Sequence, residues 1–400
     1  MIKAAILGYG TVGSGVYEII RKNAQSIRRK VGQEIDIKYI LDIRDFDDHA
    51  EKHLFTKNFD DILNDDEVKI VVEVMGGLHP AYDFSKAALL AGKNVITSNK
   101  ELVATHGTEL LRIAEENDVN YLFEASVGGG IPIIRPLNLC LAANEIEEIY
   151  GILNGTTNFI LTKMFDEGAS FGDALAEAQQ LGYAERNPAA DVEGHDACRK
   201  IAILASLASG QFVDYHNIST IGITDISKSD VAFAEKLGCV IKLIGYAKIE
   251  GGEKVYACVC PMVISKEHQL SDVNGVFNAI LVHGDSIGDV MFYGRGAGKL
   301  PTASAVVADV IDAAKHVHTH IRLLWKEPEG NIFMNPDEVT ARYMIRTRDS
   351  ALIERFEGAQ PIGEYDGEHG MESAFVTGQL TEHELAERLD GRGTYIRMLA

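Results

Sequence analysis

Hydrophobic and polar positions follow two different rhythms along this 400-residue chain. Over the first 130 residues, short apolar runs alternate with stretches whose apolar residues recur three and four apart. Ile2–Leu7, 35–43, 70–74, Asn94–Thr97 and 119–123 read as buried strands; the stretch opening at Gly13 and those at 80–91 and 107–117 read as helices. This alternation predicts a parallel, doubly wound Rossmann sheet in an α/β chain. From 146 the rhythm changes. Strand 146–153 leads to a helix running from Asn154 to about Phe165. A helix capped by Ser170 follows, with Phe171, Ala174, Leu175, Ala178 and Leu181 apolar and Gly182 at its end. The next helix is expected from near Asp191, with Ala197, Ile201, Leu204 and Ala208 on its core face. Helix 229–237, strands 240–249 and 255–264 joined at Gly251-Gly252, and strands 276–283 and 289–293 imply an α+β domain with a mixed sheet. After a helix at 303–316 and a Pro/Glu/Asn-rich linker at 328–338, the tail reads strand 342–346, helix 350–356, strands 361–365 and 373–380, helix 381–390 and strand 394–399. That is a ferredoxin-like βαββαβ order. The expected domains are 1–130, 131–325 and 340–400, with the helix at about 303–320 packing back on the first.

Composition narrows the function. Hydrophobic residues make up 46% and charged residues 24%, which is globular, and the length suits two or three domains. A net charge of −21 argues against nucleic acid or an anionic membrane as partner. No apolar run reaches the roughly 18 residues of a membrane span. The N-terminus enters a strand without a signal sequence, so a cytoplasmic location is expected. Cys140, Cys198, Cys239, Cys258 and Cys260 are odd in number and scattered, which reads as reduced thiols. Cys258-Val-Cys260 puts two thiols on one strand face, most simply as core.

Gly8-Tyr-Gly-Thr-Val-Gly13 follows a strand and opens a helix, the context a dinucleotide fingerprint requires. Gly8 allows the turn, Gly10 lets a pyrophosphate approach, and Gly13 lets helix and strand pack. Exposed N–H groups, including those of Thr11 and Val12, then face the phosphates. The end of the next strand offers both an acid and a base, in Asp42-Ile-Arg44. Arg44 favours NADP, and Asp42 leaves NAD open. Met75-Gly76-Gly77 and Thr97-Ser-Asn-Lys100 lie beyond strand ends, where ligands bind in open α/β sheets. Glu124-Ala-Ser-Val-Gly-Gly-Gly-Ile-Pro132 forces an irregular backbone. It serves either as a hinge or as a cation site of carbonyls plus the Glu124 carboxylate. Gly294–Ser304 is a second glycine-rich turn entering a helix. In Asn154-Gly-Thr-Thr-Asn158, Thr and Asn either cap a helix or bind a substrate carboxylate at its N-terminus. The stretch from Leu181 to Lys200 is dense in charge, and Asp196 and Lys200 share a helix face there.

These motifs, together with Ser98-Asn-Lys100-Glu-Leu-Val-Ala, Leu181-Gly-Tyr-Ala-Glu and Gly296-Ala-Gly-Lys-Leu-Pro-Thr-Ala-Ser, resemble homoserine dehydrogenase, in that family's order and over about residues 1–320. The resemblance implies NAD(P)-dependent interconversion of L-homoserine and L-aspartate 4-semialdehyde. It implies Lys200 as proton donor and acceptor, with Lys100 at cofactor and substrate. Substrate contacts would come from Gly182, Glu185, Asp191, Asp196 and Thr156. Cofactor contacts would come from the Gly8–Gly13 loop, Arg44, Gly76 and Gly298. A sodium ion would be held by Glu124, Val127, Gly129 and Ile131. The tail resembles a shortened ACT domain lacking the usual Pro-Gly after its first strand, and a homodimer or homotetramer is implied.

Overall fold

The structure is a computed structural model that describes residues 1–317, 319–322, 325–367 and 370–399. Positions 318, 323, 324, 368, 369 and 400 fall within the helix expected at 303–320, the 131–325 segment and the 340–400 tail, and lie outside the described residues. The chain forms two compact units. Met1–Asn144, Ser206–Asp214 and Gly294–Glu329 make the first; Glu145–Ala205, Tyr215–Tyr293 and Gly330–Ala400 make the second.

In the first unit, strands β1 (Ile2–Leu7), β2 (Ile35–Leu41), β3 (Phe55–Thr56), β4 (Val68–Glu73), β5 (Asn94–Thr97) and β6 (Tyr121–Leu122) lie in the order β3-β2-β1-β4-β5-β6. Every pairing is parallel. Helices α1 (Thr11–Lys22), α2 (Ala24–Val31), α3 (Asp60–Leu63), α4 (Ala81–Leu90) and α5 (Lys100–Glu116) connect them. Ala4–Leu7 of β1 and Ile70–Val72 of β4 are fully buried, as strands covered on both faces must be. The strand order reverses between β1 and β4, so the loops leaving their carboxyl ends flank the switch point where such sheets hold ligands.

The Lys299–Lys315 helix belongs to this unit and lies against α1. Its Val306, Val307 and Val310 share a core with Val16 and Ile20. It starts at Lys299 rather than 303 because Pro301 falls in the first turn, where no intrahelical N–H is needed. Likewise α5 starts at Lys100, not 107. Asn99 caps it, its side chain accepting the Leu102 N–H at 3.1 Å.

In the second unit, β7 (Ile146–Ile152), β8 (Ser219–Thr220), β9 (Cys239–Glu250), β10 (Lys254–Ser265), β11 (Phe277–Gly284), β12 (Gly288–Arg295), β13 (Tyr343–Thr347), β14 (Gln360–Gly367), β15 (Gly370–Val376) and β16 (Gly393–Met398) form one ten-stranded mixed sheet. Its order is β12-β11-β7-β9-β10-β16-β13-β15-β14, with β8 beside β10. The β9–β10 hairpin turns at Gly251-Gly252, pairs Val255 with Ile249, and is buried along nearly its whole length. Helices α6 (Gly155–Glu167), α7 (Phe171–Gln180), α8 (Ala189–Val192), α9 (His195–Ser209) and α10 (Lys228–Lys236) complete the layer.

Several expectations change here. The helix expected from near Asp191 is two pieces, α8 and α9, broken at Gly194, whose φ is +86°. Leu181, one of the apolar positions of the expected helix, is exposed, and the buried positions of α7 are Ala174 and Ala178. The 328–338 segment is not a loose linker, because Val255 N–H donates to Ile332 O at 2.8 Å and Met334 N–H to Val255 O at 2.9 Å. The last four strands lie in the order β16-β13-β15-β14, all antiparallel, with a 3-10 turn at Ser350–Arg355 where an α-helix was expected. They lie in the second unit. Met262 of β10 pairs in parallel with Arg397 of β16, and Leu399 N–H donates to Val263 O.

A Cβ on Gly13 would lie 1.9 Å from the Gly8 carbonyl oxygen. Gly13→Ala is therefore expected to cost about 1–3 kcal/mol of stability, as overpacking does, and to weaken dinucleotide binding. Urea unfolding with an unchanged midpoint would contradict this.

Candidate active site

In the second unit the site is built around the start of α6. Asn154 caps this helix, its Oδ1 accepting the Thr157 N–H at 2.9 Å. The same side chain turns its amide nitrogen to two carboxylates, Asp191 Oδ1 at 2.7 Å and Asp196 Oδ2 at 2.9 Å. Lys200 Nζ donates to that same Asp196 oxygen at 2.7 Å and to Leu153 O at 2.7 Å. Asp196 is 2% exposed and Lys200 8%, so this is a buried ion pair that needs its surrounding hydrogen bonds. Thr156 Oγ1 donates to Tyr183 O at 2.7 Å and fastens the α7–α8 loop to α6. Asn154, Asp191, Asp196, Lys200 and Thr156 are thus brought together. Gly182 and Glu185 lie exposed on that loop, where Glu185 offers its backbone carbonyl to Gln179 Nε2.

A second lysine supports the same helix. Lys242, 2% exposed on β9, donates to Val273 O at 2.7 Å, Asn274 Oδ1 at 2.8 Å and Asn158 Oδ1 at 3.2 Å. All three acceptors are neutral. Asn158 in turn donates to the carbonyls of Val273, Gly275 and Phe277. Burial pulls the Lys242 amine down to about 8.

In the first unit the Gly8–Gly13 loop and Met75–Gly77 lie side by side. A Cβ on Gly8 would be 3.1 Å from Val74 O. Asp42 accepts from Tyr9 N–H, Arg44 N–H, Arg44 Nε and an Arg44 terminal nitrogen, all within 3.0 Å. The Arg44 guanidinium holds its carboxyl well below the usual carboxylate range. Those four donors use the roughly four lone-pair sites of a carboxylate, while Arg44 stays 56% exposed.

Beyond β4, buried Glu73 accepts the Met75 N–H at 2.7 Å and the Thr97 hydroxyl at 2.5 Å. Burial raises its carboxyl above the usual range. Thr97 Oγ1 also accepts the Asn99 N–H, and Asn99 Nδ2 donates to Gly77 O at 2.6 Å. This network ties the Gly76-Gly77 turn to the first turn of α5, where Lys100 is half-buried.

The Glu124 carboxylate accepts four hydrogen bonds from the turn that follows it. Its Oε1 accepts from Ile133 and Ile134 N–H, and its Oε2 from Arg135 N–H and Nε. Arg135 also donates to buried Asp309 at 2.8 Å. Gly129, with φ +56°, could carry no side chain, since a Cβ would sit 2.2 Å from Gly296 O. The loop before Gly298 is therefore stacked on the Val127–Ile131 loop. Among the described residues no group of three His, Cys, Asp or Glu could hold a metal, and no helix is long and apolar enough to cross a membrane. The sequence reading missed Glu73, Arg135, Lys242 and Asp309. For Glu73 and Lys242 a signal existed, a charge flanked on both sides by apolar residues, Val72 and Val74 or Ile241 and Leu243.

A six-stranded parallel sheet with a glycine-rich loop at its switch point, and a buried lysine–carboxylate pair in the second unit, fit a pyridine-nucleotide oxidoreductase. Family models agree in detail: one described as "Homoserine dehydrogenase, NAD binding domain" matches residues 8–124, and one described as "Homoserine dehydrogenase" matches 132–311. The homoserine dehydrogenase of Synechocystis sp. is 47% identical over 318 residues, 78% of this chain and 73% of that protein. The crystal structure of a homoserine dehydrogenase from Thiobacillus denitrificans superposes with a TM-score of 0.90 at 35% identity, over 100% of this chain and 98% of that one. A hyperthermophilic archaeal homoserine dehydrogenase in complex with NADPH matches with a TM-score of 0.67 at 29% identity, over 81% of this chain and 99% of that one. The chain belongs to the homoserine dehydrogenase family.

Because the unfolded chain holds the Lys242 proton up to about pH 10.5 and the folded chain releases it near 8, this group's contribution to stability grows as pH rises through that window. The stability of the wild type minus that of Lys242→Met should therefore rise by up to about 3 kcal/mol from pH 8 to pH 10.5. A flat difference in urea unfolding would contradict it.

Proposed function

We propose that this homoserine dehydrogenase interconverts L-homoserine and L-aspartate 4-semialdehyde with NADP as its preferred coenzyme and Lys200 as its proton-handling group. The observation that carries this reading is the buried Asn154–Asp196–Lys200 chain, which fixes an ammonium at one place in the substrate unit. Bound NADP supplies the hydride acceptor in the oxidising direction. Lys200 gives a proton to the oxygen that becomes the hydroxyl during aldehyde reduction and takes it back during oxidation. Asp196 accepts from the Lys200 amine at 2.7 Å and holds it in place. Asp191, Thr156, Gly182 and Glu185 are the remaining groups assigned to the substrate. The exposed loop of the last two supports contact with the polar end of homoserine.

The coenzyme reading rests on Asp42. Its lone pairs are already used, so a ribose hydroxyl would have to displace Arg44, whereas the exposed guanidinium can meet a 2′-phosphate. Gly8, Gly10, Thr11, Val12 and Gly13 present backbone to the pyrophosphate. Gly76, Lys100 and Gly298 are assigned to the nicotinamide end. A sodium ion would be held by the main-chain carbonyls of Glu124, Val127, Gly129 and Ile131, with a role in holding the loop rather than in proton transfer. The antiparallel order of the last four strands supports reading the tail as a shortened ACT-like module.

Lys200→Ala is expected to lower kcat by at least about 10²-fold, the lower range for a general acid–base group. A near-normal kcat in the purified variant would overturn the assignment. Arg44→Ala should raise KM for NADP+ at least about tenfold, as loss of a charge-assisted contact does, and leave KM for NAD+ nearly unchanged. Equal effects on both coenzymes would contradict the ribose-phosphate role.

A further inference from the structure

Glu73 closes β4, one of the two strands at the switch point, and is fully buried. Its oxygens accept the Met75 N–H at 2.7 Å and the Thr97 hydroxyl at 2.5 Å, and it pairs with no cation among the described residues. Burial pushes its carboxyl up, while the Thr97 hydroxyl and the Met75 and Gly76 N–H groups favour the ionised form. A buried charge without a counter-ion is costly. Hydrogen bonding alone does not call for it. A glutamine could serve the same turn, accepting the Met75 N–H and donating to the Thr97 oxygen. Asn99 Nδ2 already ties this turn to α5 through Gly77 O at 2.6 Å.

The place of Glu73 in the sheet supplies a reason for the charge. A dinucleotide lies across the carboxyl ends of the strands at the switch point, with one ribose held at the end of the second strand. Asp42 and Arg44 follow β2, on the other side of β1 from β4. The nicotinamide half then falls to the β4–β5 side, the side of the turn that Glu73 organises. Oxidised and reduced coenzymes differ in that half by one positive charge on the ring. We propose that Glu73 is a positioning residue for the nicotinamide half and that its buried charge favours the oxidised coenzyme over the reduced one. It acts without touching the ligand, through the Gly76-Gly77 turn and through a field that the protein interior screens less than water does. This inference rests on the coenzyme reading above.

The test is the Kd of the full chain for NADP+ and for NADPH, by isothermal titration at about pH 9, where a carboxyl raised by burial is still ionised. In Glu73→Gln the Kd for NADP+ should rise at least about fivefold more than the Kd for NADPH. Glu73→Met removes the charge without burying an amide, should shift the ratio the same way, and carries the test if the glutamine variant does not fold. Thr97→Val keeps the carboxylate and should weaken both forms alike, leaving their ratio that of the wild type. Equal weakening of the two forms, or unchanged affinity for both, in Glu73→Gln and Glu73→Met would overturn the charge role and leave the coenzyme reading standing. A wild type that binds neither form, nor NAD+ or NADH, would overturn that reading and this inference with it.

Discussion

One amide side chain holds the second unit's candidate site in place. Asn154 is both the cap of α6 and the donor to Asp191 and Asp196, and Asp196 holds Lys200. A buried carboxylate such as Asp196 is costly unless several donors satisfy it. Asn154 supplies those donors from the one position where its oxygen is needed by the helix. The helix start, the loop that Thr156 anchors through Tyr183 O, and the lysine therefore have a common origin. Lys242 and Asn158 reinforce that origin from the sheet side, gripping the 273–277 loop with hydrogen bonds to neutral groups.

The dinucleotide unit follows the same logic with different parts. A side chain at Gly13 is excluded by the Gly8 carbonyl, so α1 sits down on β1 and presents its N-terminus beside the switch point. Glu73 pairs with no cation among the described residues and accepts instead from the Met75 N–H and the Thr97 hydroxyl, which couples the turn after β4 to the start of α5. Glu124 does the same for the glycine-rich loop, accepting four N–H bonds from Ile133, Ile134 and Arg135. In each case a buried carboxylate organises backbone.

This also explains what was legible in the sequence. The parallel sheet, its glycine loop and the switch to a mixed sheet were readable, because periodicity and turn residues are local properties. So was the 181–200 stretch, whose Asp196–Lys200 spacing puts both side chains on one helix face. The engagement of the Glu124 carboxylate was not readable, since its donors follow from a tight backbone turn rather than from spacing. The early starts of α5 and of the Lys299–Lys315 helix were hidden because Asn99 and Pro301 read as loop residues until the cap and the first turn are seen. Nor could the sequence show that 332–334 fastens to β10, or that β16 joins the large sheet, because both depend on pairing between distant segments. A charge flanked on both sides by apolar residues, as at Glu73 and Lys242, was the overlooked sign of a buried polar anchor.

The most direct test of the account is the steady-state kinetics of Asn154→Asp in homoserine oxidation, read together with its thermal stability. Aspartate still caps a helix but replaces the amide donor by a third carboxylate next to Asp191 and Asp196. The account predicts a folded enzyme whose kcat/KM falls at least about tenfold, as loss of a charge-assisted hydrogen bond does. Wild-type kcat/KM in that variant would contradict the claim that this one amide sets Lys200 for the reaction.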